Sequence, residues 1–234
     1  MKILHHVKAR ILEYCAIIVI FVLPPIFSSS VYDFSGEKNI PSFLPLGALV
    51  FYAAAAFFLY LRTETAPCVL GSSGRFSVKR IFNLVYKIVV CYGALLISAF
   101  FWNYAAKLSG KIELPHFVLP QALDKRLLLY ASAIVLASYE EILFRFFLPE
   151  RALAVIKTIA ASYDTRPHIA AVIAAETVPI VLFALAHRYL GFYAVCNALC
   201  AAVILRVALC KKLHIAALCA VHCAYNITIF IVIG

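Results

Sequence analysis

Three short groups of polar residues interrupt the apolar run of this chain. The first is Ser138-Tyr139-Glu140-Glu141-Ile142-Leu143-Phe144-Arg145, the second Phe183-Ala184-Leu185-Ala186-His187, the third His222-Cys223-Ala224-Tyr225-Asn226. On a helix Glu141 and Arg145 share a face at i,i+4 spacing and form a natural ion pair. Glu140 is then left over, pointing about a third of a turn away. An unpaired carboxylate in a low-dielectric cavity is a strong proton acceptor, which is what a general base must be. His222 and Asn226 share a face by the same spacing. Together a carboxylate, two imidazoles and an amide can activate water, donate a proton and hold an oxyanion. No serine or cysteine is arranged with a histidine and an acid in a nucleophile elbow, so direct attack by water is the economical chemistry.

Each group has a plainer reading. Glu141 and Arg145 read as a structural ion pair that locks helix packing. His187 alone reads as an interface histidine, and His222 with Asn226 as an interhelical hydrogen bond. Glu140 resists such a reading. Even on the lenient insertion scale an ionisable group at mid-bilayer costs about 2.5–3.5 kcal/mol, so it is a functional hypothesis by default.

The elements that carry these residues must be membrane helices. The 234 residues are 65% hydrophobic and only 14% charged, against about 45–50% and about 25% in a soluble domain. The excess sits in runs close to the ~20 residues that cross a bilayer: Ile11–Phe27, Phe43–Leu61, Ile81–Tyr104, Leu127–Leu148, Ile169–His187, Leu190–Cys210 and Leu213–Ile233. Hydrocarbon requires the backbone to satisfy itself, and the alternation of a barrel strand is absent, so these are helices. The expected fold is all-α, a polytopic bundle of about seven spans around a buried polar catalytic cavity. Residues 1–126 would supply three helices and 127–234 the catalytic core of one continuous membrane domain. Glu140, about thirteen residues into its span, would lie some 20 Å from the outer end. Glu150–His168 reads as a short amphipathic interfacial helix, Thr63–Lys79 (with Pro67, Gly71, Ser72, Ser73 and Gly74) as a flexible loop.

The net charge of +10 does not indicate nucleic acid, because no soluble basic face exists to offer it. Basic residues flank the spans, where they meet anionic headgroups and set orientation. With the N-terminus in the cytoplasm, inside segments carry Lys2, Lys8, Arg10, Arg62, Arg75, Lys79, Arg80, Arg151, Lys157, Arg166, Lys211 and Lys212. Outside segments carry Lys38, Lys107, Lys111, Lys125, Arg126 and Arg188, of which Lys125–Arg126 argue the other way. The first run reads as a retained helix of a multi-pass cell-membrane protein, bent or ended by Pro24 and Pro25. Ser28–Ser30 alone do not make a signal-peptide cleavage site. The eight cysteines (Cys15, Cys68, Cys91, Cys196, Cys200, Cys210, Cys219 and Cys223) show no CxxC spacing and read as small packing residues.

The three groups, in this order on successive spans, resemble the signature EExxxR, FxxxH and HxxxN of the CPBP family, the CAAX protease and bacteriocin-processing or Abi proteins. The resemblance covers roughly residues 125–230. It implies an intramembrane endopeptidase in which Glu140 activates water assisted by His187, His222 and Asn226 bind the oxyanion, and Glu141 and Arg145 hold the site in shape, with Phe183 the first residue of its motif. Phe146 stands where many members have glycine. The implied substrate is a membrane-associated or lipidated protein or peptide, the other partners being membrane lipids. No cofactor is expected. Zinc is the disfavoured alternative: a Glu and two His are plausible ligands, but HExxH is absent and three helices would have to assemble them. A non-enzymatic immunity or scaffold protein would not need all four groups, and a transporter would be expected to show internal repeats, which are absent. One tension stands: Glu140 and His222 fall in the inner half of the bilayer, whereas His187 ends an outward-running helix. Either that helix begins near Glu176–Pro179, or the turn His187–Gly191 dips into a watery cavity open to the cytoplasm.

Overall fold

The computed structural model describes residues 2–27, 44–63, 77–110 and 120–232, all-α throughout. The side chains of residues 2–6 and of Pro25 fall outside what is described, as do Cys68, Ser28–Ser30, Lys38, Lys111 and most of the Thr63–Lys79 loop. Helix α1 (Lys2–Ile17) runs through a π-helical turn (Ile18–Val22) into α2 (Leu23–Phe27). There follow α3 (Leu46–Arg62), α4 (Val78–Leu108), α5 (Leu123–Glu140), a π-helical turn (Glu141–Phe147), α6 (Leu148–Ser162), α7 (Ile169–Ala186), a 3-10 turn (Arg188–Leu190), α8 (Phe192–Cys210) and α9 (Ile215–Val232).

Each expected apolar run is helical over most of its described residues. Among the described residues five helices are long and apolar enough to cross a membrane: Val78–Leu108, Leu123–Ser162, Ile169–Ala186, Phe192–Cys210 and Ile215–Val232. Leu46–Arg62 is apolar but shorter. The outer surface is the inverse of a soluble protein's: Phe82, Ile97, Phe100, Phe101 and Leu108 all project outward from α4. At helix crossings the buried residues are small, with Ala55, Ala56, Ala133, Ala137, Ala198, Ala201 and Ala202 all nearly inaccessible, which lets backbones approach where no hydrophobic effect drives association.

Two expectations need correction. The amphipathic stretch after Pro149 is not a separate interfacial helix spanning Glu150–His168. It is α6, continuous with α5 in one rod Leu123–Ser162, and it ends before Tyr163. The π-turn carries the chain through Pro149 without a break, because i→i+5 bonding makes room for a proline that would otherwise clash with the carbonyl four residues back. The same device precedes Pro24: the Leu23 N–H bonds Ile18 O across the first π-turn. The second correction concerns α7, which begins at Ile169 and continues through Pro179, so the later start near Glu176–Pro179 does not occur. After His187 the chain reverses through the 3-10 turn and Gly191, whose φ of +97° favours glycine.

Packing places the motif-bearing rod at the centre, between α3 and α9. One apolar cluster joins Ile17, Val22 and Leu59 of the N-terminal helices to Tyr139, Leu143, Phe144, Phe147 and Phe183. Tyr52 meets Tyr139 edge-on at 4.9 Å between ring centroids. A second cluster unites α4, α8 and α9. Across it runs a polar chain: Ser98 Oγ donates to Asn197 Oδ1 at 2.9 Å, and Asn197 Nδ2 donates to Tyr225 Oη at 2.7 Å. Replacing Asn197 by leucine is expected to cost roughly 0.6–2 kcal/mol, since Ser98 and Tyr225 lose their partner in an apolar setting. An unfolding titration in mixed micelles checks this; an unchanged midpoint would deny the chain any stabilising role.

Several basic side chains cap helix carbonyls that have no helical donor. Arg151 donates to Arg62 O at the end of α3, Arg188 to Ile26 O in α2, and Lys87 Nζ to Lys211 O at 2.7 Å beyond α8. Part of the positive charge thus serves the backbone rather than orientation. The seven described cysteines are free thiols. Cys91 and Cys223 are buried as packing residues, Cys200 accepts from Trp102 Nε1 at 3.4 Å, and Cys15 and Cys210 are exposed.

Candidate active site

The residues Glu140 and Glu141 lie at the junction where α5 becomes the π-turn, and each meets one nitrogen of the same imidazole. His222 Nδ1 stands 2.9 Å from Glu141 Oε1. A carboxylate only accepts, so the ring carries a proton on Nδ1. His222 Nε2 stands 3.7 Å from Glu140 Oε2, beyond direct hydrogen-bonding length. The two carboxylates differ in access: the Glu141 side chain is 0% exposed and that of Glu140 22%. Glu141 is sealed and engaged; Glu140 is the one a small molecule can reach.

Arg145 is also 0% exposed, its Nη2 3.6 Å from Glu141 Oε1. The i,i+4 pair therefore forms, but as a charge contact only. None of the guanidinium nitrogens has a hydrogen-bond partner among the described residues. The plane lies instead over the Phe183 ring, Cζ 3.9 Å from the centroid, a cation–π contact in a desolvated place. Glu141 Oε1 accepts from His222 Nδ1, so the carboxylate that spacing assigns to Arg145 is shared between Arg145 and His222.

Phe183 links this cluster to His187. Its ring centroid is 5.4 Å from that of Phe144, 6.2 Å from His222 and 4.6 Å from His187. His187 Nδ1 donates to Phe183 O at 2.9 Å, because a carbonyl can only accept. In the neutral ring Nε2 is then a lone-pair acceptor. No hydrogen bond or ion pair joins His187 or Asn226 to Glu140 or His222 among the described residues. Asn226 is half-buried one turn beyond His222 on α9. A groove of about 670 Å3 opens between α3, α5 and α9, lined by Tyr60, Ser138, Ile142, Cys219 and Cys223. None of the four candidate catalytic residues lines it, so it is not the polar cavity expected around Glu140. No three or more His, Cys, Asp or Glu side chains among the described residues are grouped to hold a metal ion.

Residues 122–228 match the family model described as type II CAAX prenyl endopeptidase Rce1-like. This segment belongs to the Rce1-like family. The Rce1-like segment opens just before α5 and closes within α9, and it contains all three motifs and every residue described above as part of the site. At family level this match supports a CAAX-protease-like endopeptidase, and the five long apolar helices support a membrane protein. No curated protein and no solved structure matches it.

Sequence reasoning passed over one charged pair inside the Rce1-like segment. Glu176 on α7 and Arg206 on α8 join through two hydrogen bonds of 2.7 Å each, Nε to Oε2 and Nη2 to Oε1. Arg206 Nη1 also donates to the backbone carbonyl of Arg145 at 2.6 Å. The signal was available: Glu176 and Arg206 are ionisable residues inside apolar runs, the same criterion that singled out Glu140.

Proposed function

We propose that the chain is an intramembrane endopeptidase that hydrolyses a peptide bond with water activated by Glu140, without a bound metal. The observation that carries this is the asymmetry around His222: a sealed carboxylate on one ring nitrogen, a reachable one facing the other. In this mechanism His222 holds both protons. Arg145 and His222 then balance Glu140 and Glu141, and the four charges sum to zero. Glu140 takes a proton from water as the water oxygen bonds the scissile carbonyl carbon, with His187 Nε2 accepting the water's second hydrogen bond. The carbonyl oxygen becomes an oxyanion facing His222 Nε2–H and the Asn226 amide. Glu140 then passes its proton to the amide nitrogen as the C–N bond breaks, releasing a carboxylic acid and an amine; the acid's proton, the second of the attacking water, then passes to the free amine, leaving a carboxylate and an ammonium. Glu141, Arg145 and Phe183 hold the imidazole in place.

The substrate in this reading is a membrane-associated or lipidated polypeptide, and the protein sits in the cell membrane with its N-terminus in the cytoplasm, among lipids and without nucleic acid. Mass spectrometry of peptides released from membranes, comparing wild type with Glu140→Ala, tests it. Peptides dependent on the intact carboxylate are expected. Identical peptide sets would overturn the assignment.

The metal question has its own measurement. A catalytic zinc would activate water itself and would need three protein ligands, most plausibly Glu140, His187 and His222. That account leaves Asn226 without a task. Activity of purified protein is expected to survive exhaustive chelation. Stoichiometric zinc that is lost with activity on chelation, and restores it when returned, would replace the glutamate mechanism by a metalloprotease.

A further inference from the structure

The Glu176–Arg206 pair sits where the motif-bearing rod has a backbone fault. In an α-helix the carbonyl of Arg145 would accept from the N–H of residue 149, and residue 149 is proline, which has none. The rod answers with the π-turn Glu141–Phe147, whose last bond runs from Leu148 N–H to Leu143 O. Arg206, from α8, donates Nη1 to the Arg145 carbonyl at 2.6 Å. Its other two nitrogens are held by Glu176 of α7 at 2.7 Å each, so the guanidinium is fixed in a fork with one arm pointing at the π-turn. The pair is only partly shielded, with side-chain exposures of 18% for Arg206 and 33% for Glu176, and its hydrogen bonds reach the motif only at the Arg145 backbone carbonyl.

We propose that Arg206, oriented by Glu176, is a positioning residue: it supplies the hydrogen bond that Pro149 cannot, and so sets the π-turn register that brings Glu141 to His222. The π-turn begins at Glu141 and contains Arg145. A slip of this turn by one α-helical register rotates both relative to α9. The contact that reports the slip is the 2.9 Å bond between Glu141 Oε1 and His222 Nδ1. A plain ion pair between α7 and α8 would have no such reach.

The test separates donor from charge. In the background Glu176→Gln the ion pair is gone, and position 206 is then varied: Arg206→Lys keeps a donor of suitable length, Arg206→Met keeps the bulk without a donor. Two readouts are taken in nanodiscs. The first is the downfield Nδ1 proton of His222 in 15N-histidine-labelled protein, assigned by its loss in His222→Gln. The second is kcat and KM on a peptide that wild type cleaves; this arm alone rests on the proposed hydrolase activity. The lysine double variant is expected to keep the His222 resonance and a kcat within about threefold of wild type. The methionine double variant should lose the resonance, its kcat falling about 10- to 100-fold with KM little changed, the size of effect a small misplacement produces. Should the methionine variant not fold, Arg206→Lys alone decides. Its single ammonium follows the Glu176 carboxylate and loses the resonance, and adding Glu176→Gln restores it. Lysine and methionine variants that behave alike, or a lysine single variant with the wild-type resonance, would overturn the proposal. If wild type cleaves nothing, the hydrolase reading fails, and the resonance still tests the clamp.

Discussion

Glu140→Gln is expected to lower cleavage by about 10²- to 10⁴-fold, the usual contribution of a positioned general base, while leaving the folded fraction near wild type. The amide keeps the size of the side chain and can still accept from the imidazole, but it cannot take a proton from water. The site tolerates the exchange because the Glu140 side chain makes no hydrogen bond among the described residues, only a 3.7 Å approach to His222, and is partly exposed already. Kinetics on purified protein, with the folded fraction read by gel filtration and thermal melting, checks both halves. A fully active Glu140→Gln would remove the carboxylate from the chemistry. The reaction would then need another base, and Glu141, fully buried and bonded to His222, is poorly placed to be one.

Arg145→Ala should act on the other axis. It removes a guanidinium at 0% exposure that faces Glu141 at 3.6 Å and covers the Phe183 ring at 3.9 Å. Breaking a buried pair from one side typically costs about 3–5 kcal/mol, because the remaining charge is left without compensation. The lost ring contact and the cavity add to this. The expected result is a sharp fall in folded protein, with residual activity proportional to what folds. Yield and melting temperature in detergent, with activity normalised to folded protein, are the measurements. Stable but inactive Arg145→Ala protein would move Arg145 from support into the chemistry, and together with an active Glu140→Gln it would invert the two roles.

The fold was legible because a bilayer leaves few choices. An apolar run of about 20 residues must be a helix, and each of the seven runs is helical over most of its described residues. Their junctions were less legible. The expected span ended at Leu148 and a separate interfacial helix began at Glu150, but the π-turn carries the chain past Pro149 in one rod. Periodicity cannot reveal that, because widening the turn is a response to tertiary packing. At the site, spacing found Glu141 beside Arg145 but not its bond to His222, which lies 81 residues away and depends on how α5 meets α9. His187 and His222 each lie against the Phe183 ring, and no hydrogen bond joins the two among the described residues. An aromatic spacer of this kind leaves no polar trace in sequence beyond the FxxxH spacing itself. Arg206 was missed because it belongs to no motif, although its depth in an apolar helix was reason enough to ask what it touches.

The helices differ in length, and that difference bears on the lipid around them. Helix α4, with 31 residues, rises about 46 Å at ~1.5 Å per residue, well beyond a hydrocarbon layer of about 30 Å. Helix α7, with 18 residues, rises only about 27 Å. A long helix is accommodated by tilting, a short one by thinning the bilayer beside it. This short helix carries Phe183 and is capped by His187. Hydrophobic mismatch would therefore draw the two water surfaces together on the flank that holds these residues, so that a polar peptide has less hydrocarbon to cross there than elsewhere around the protein.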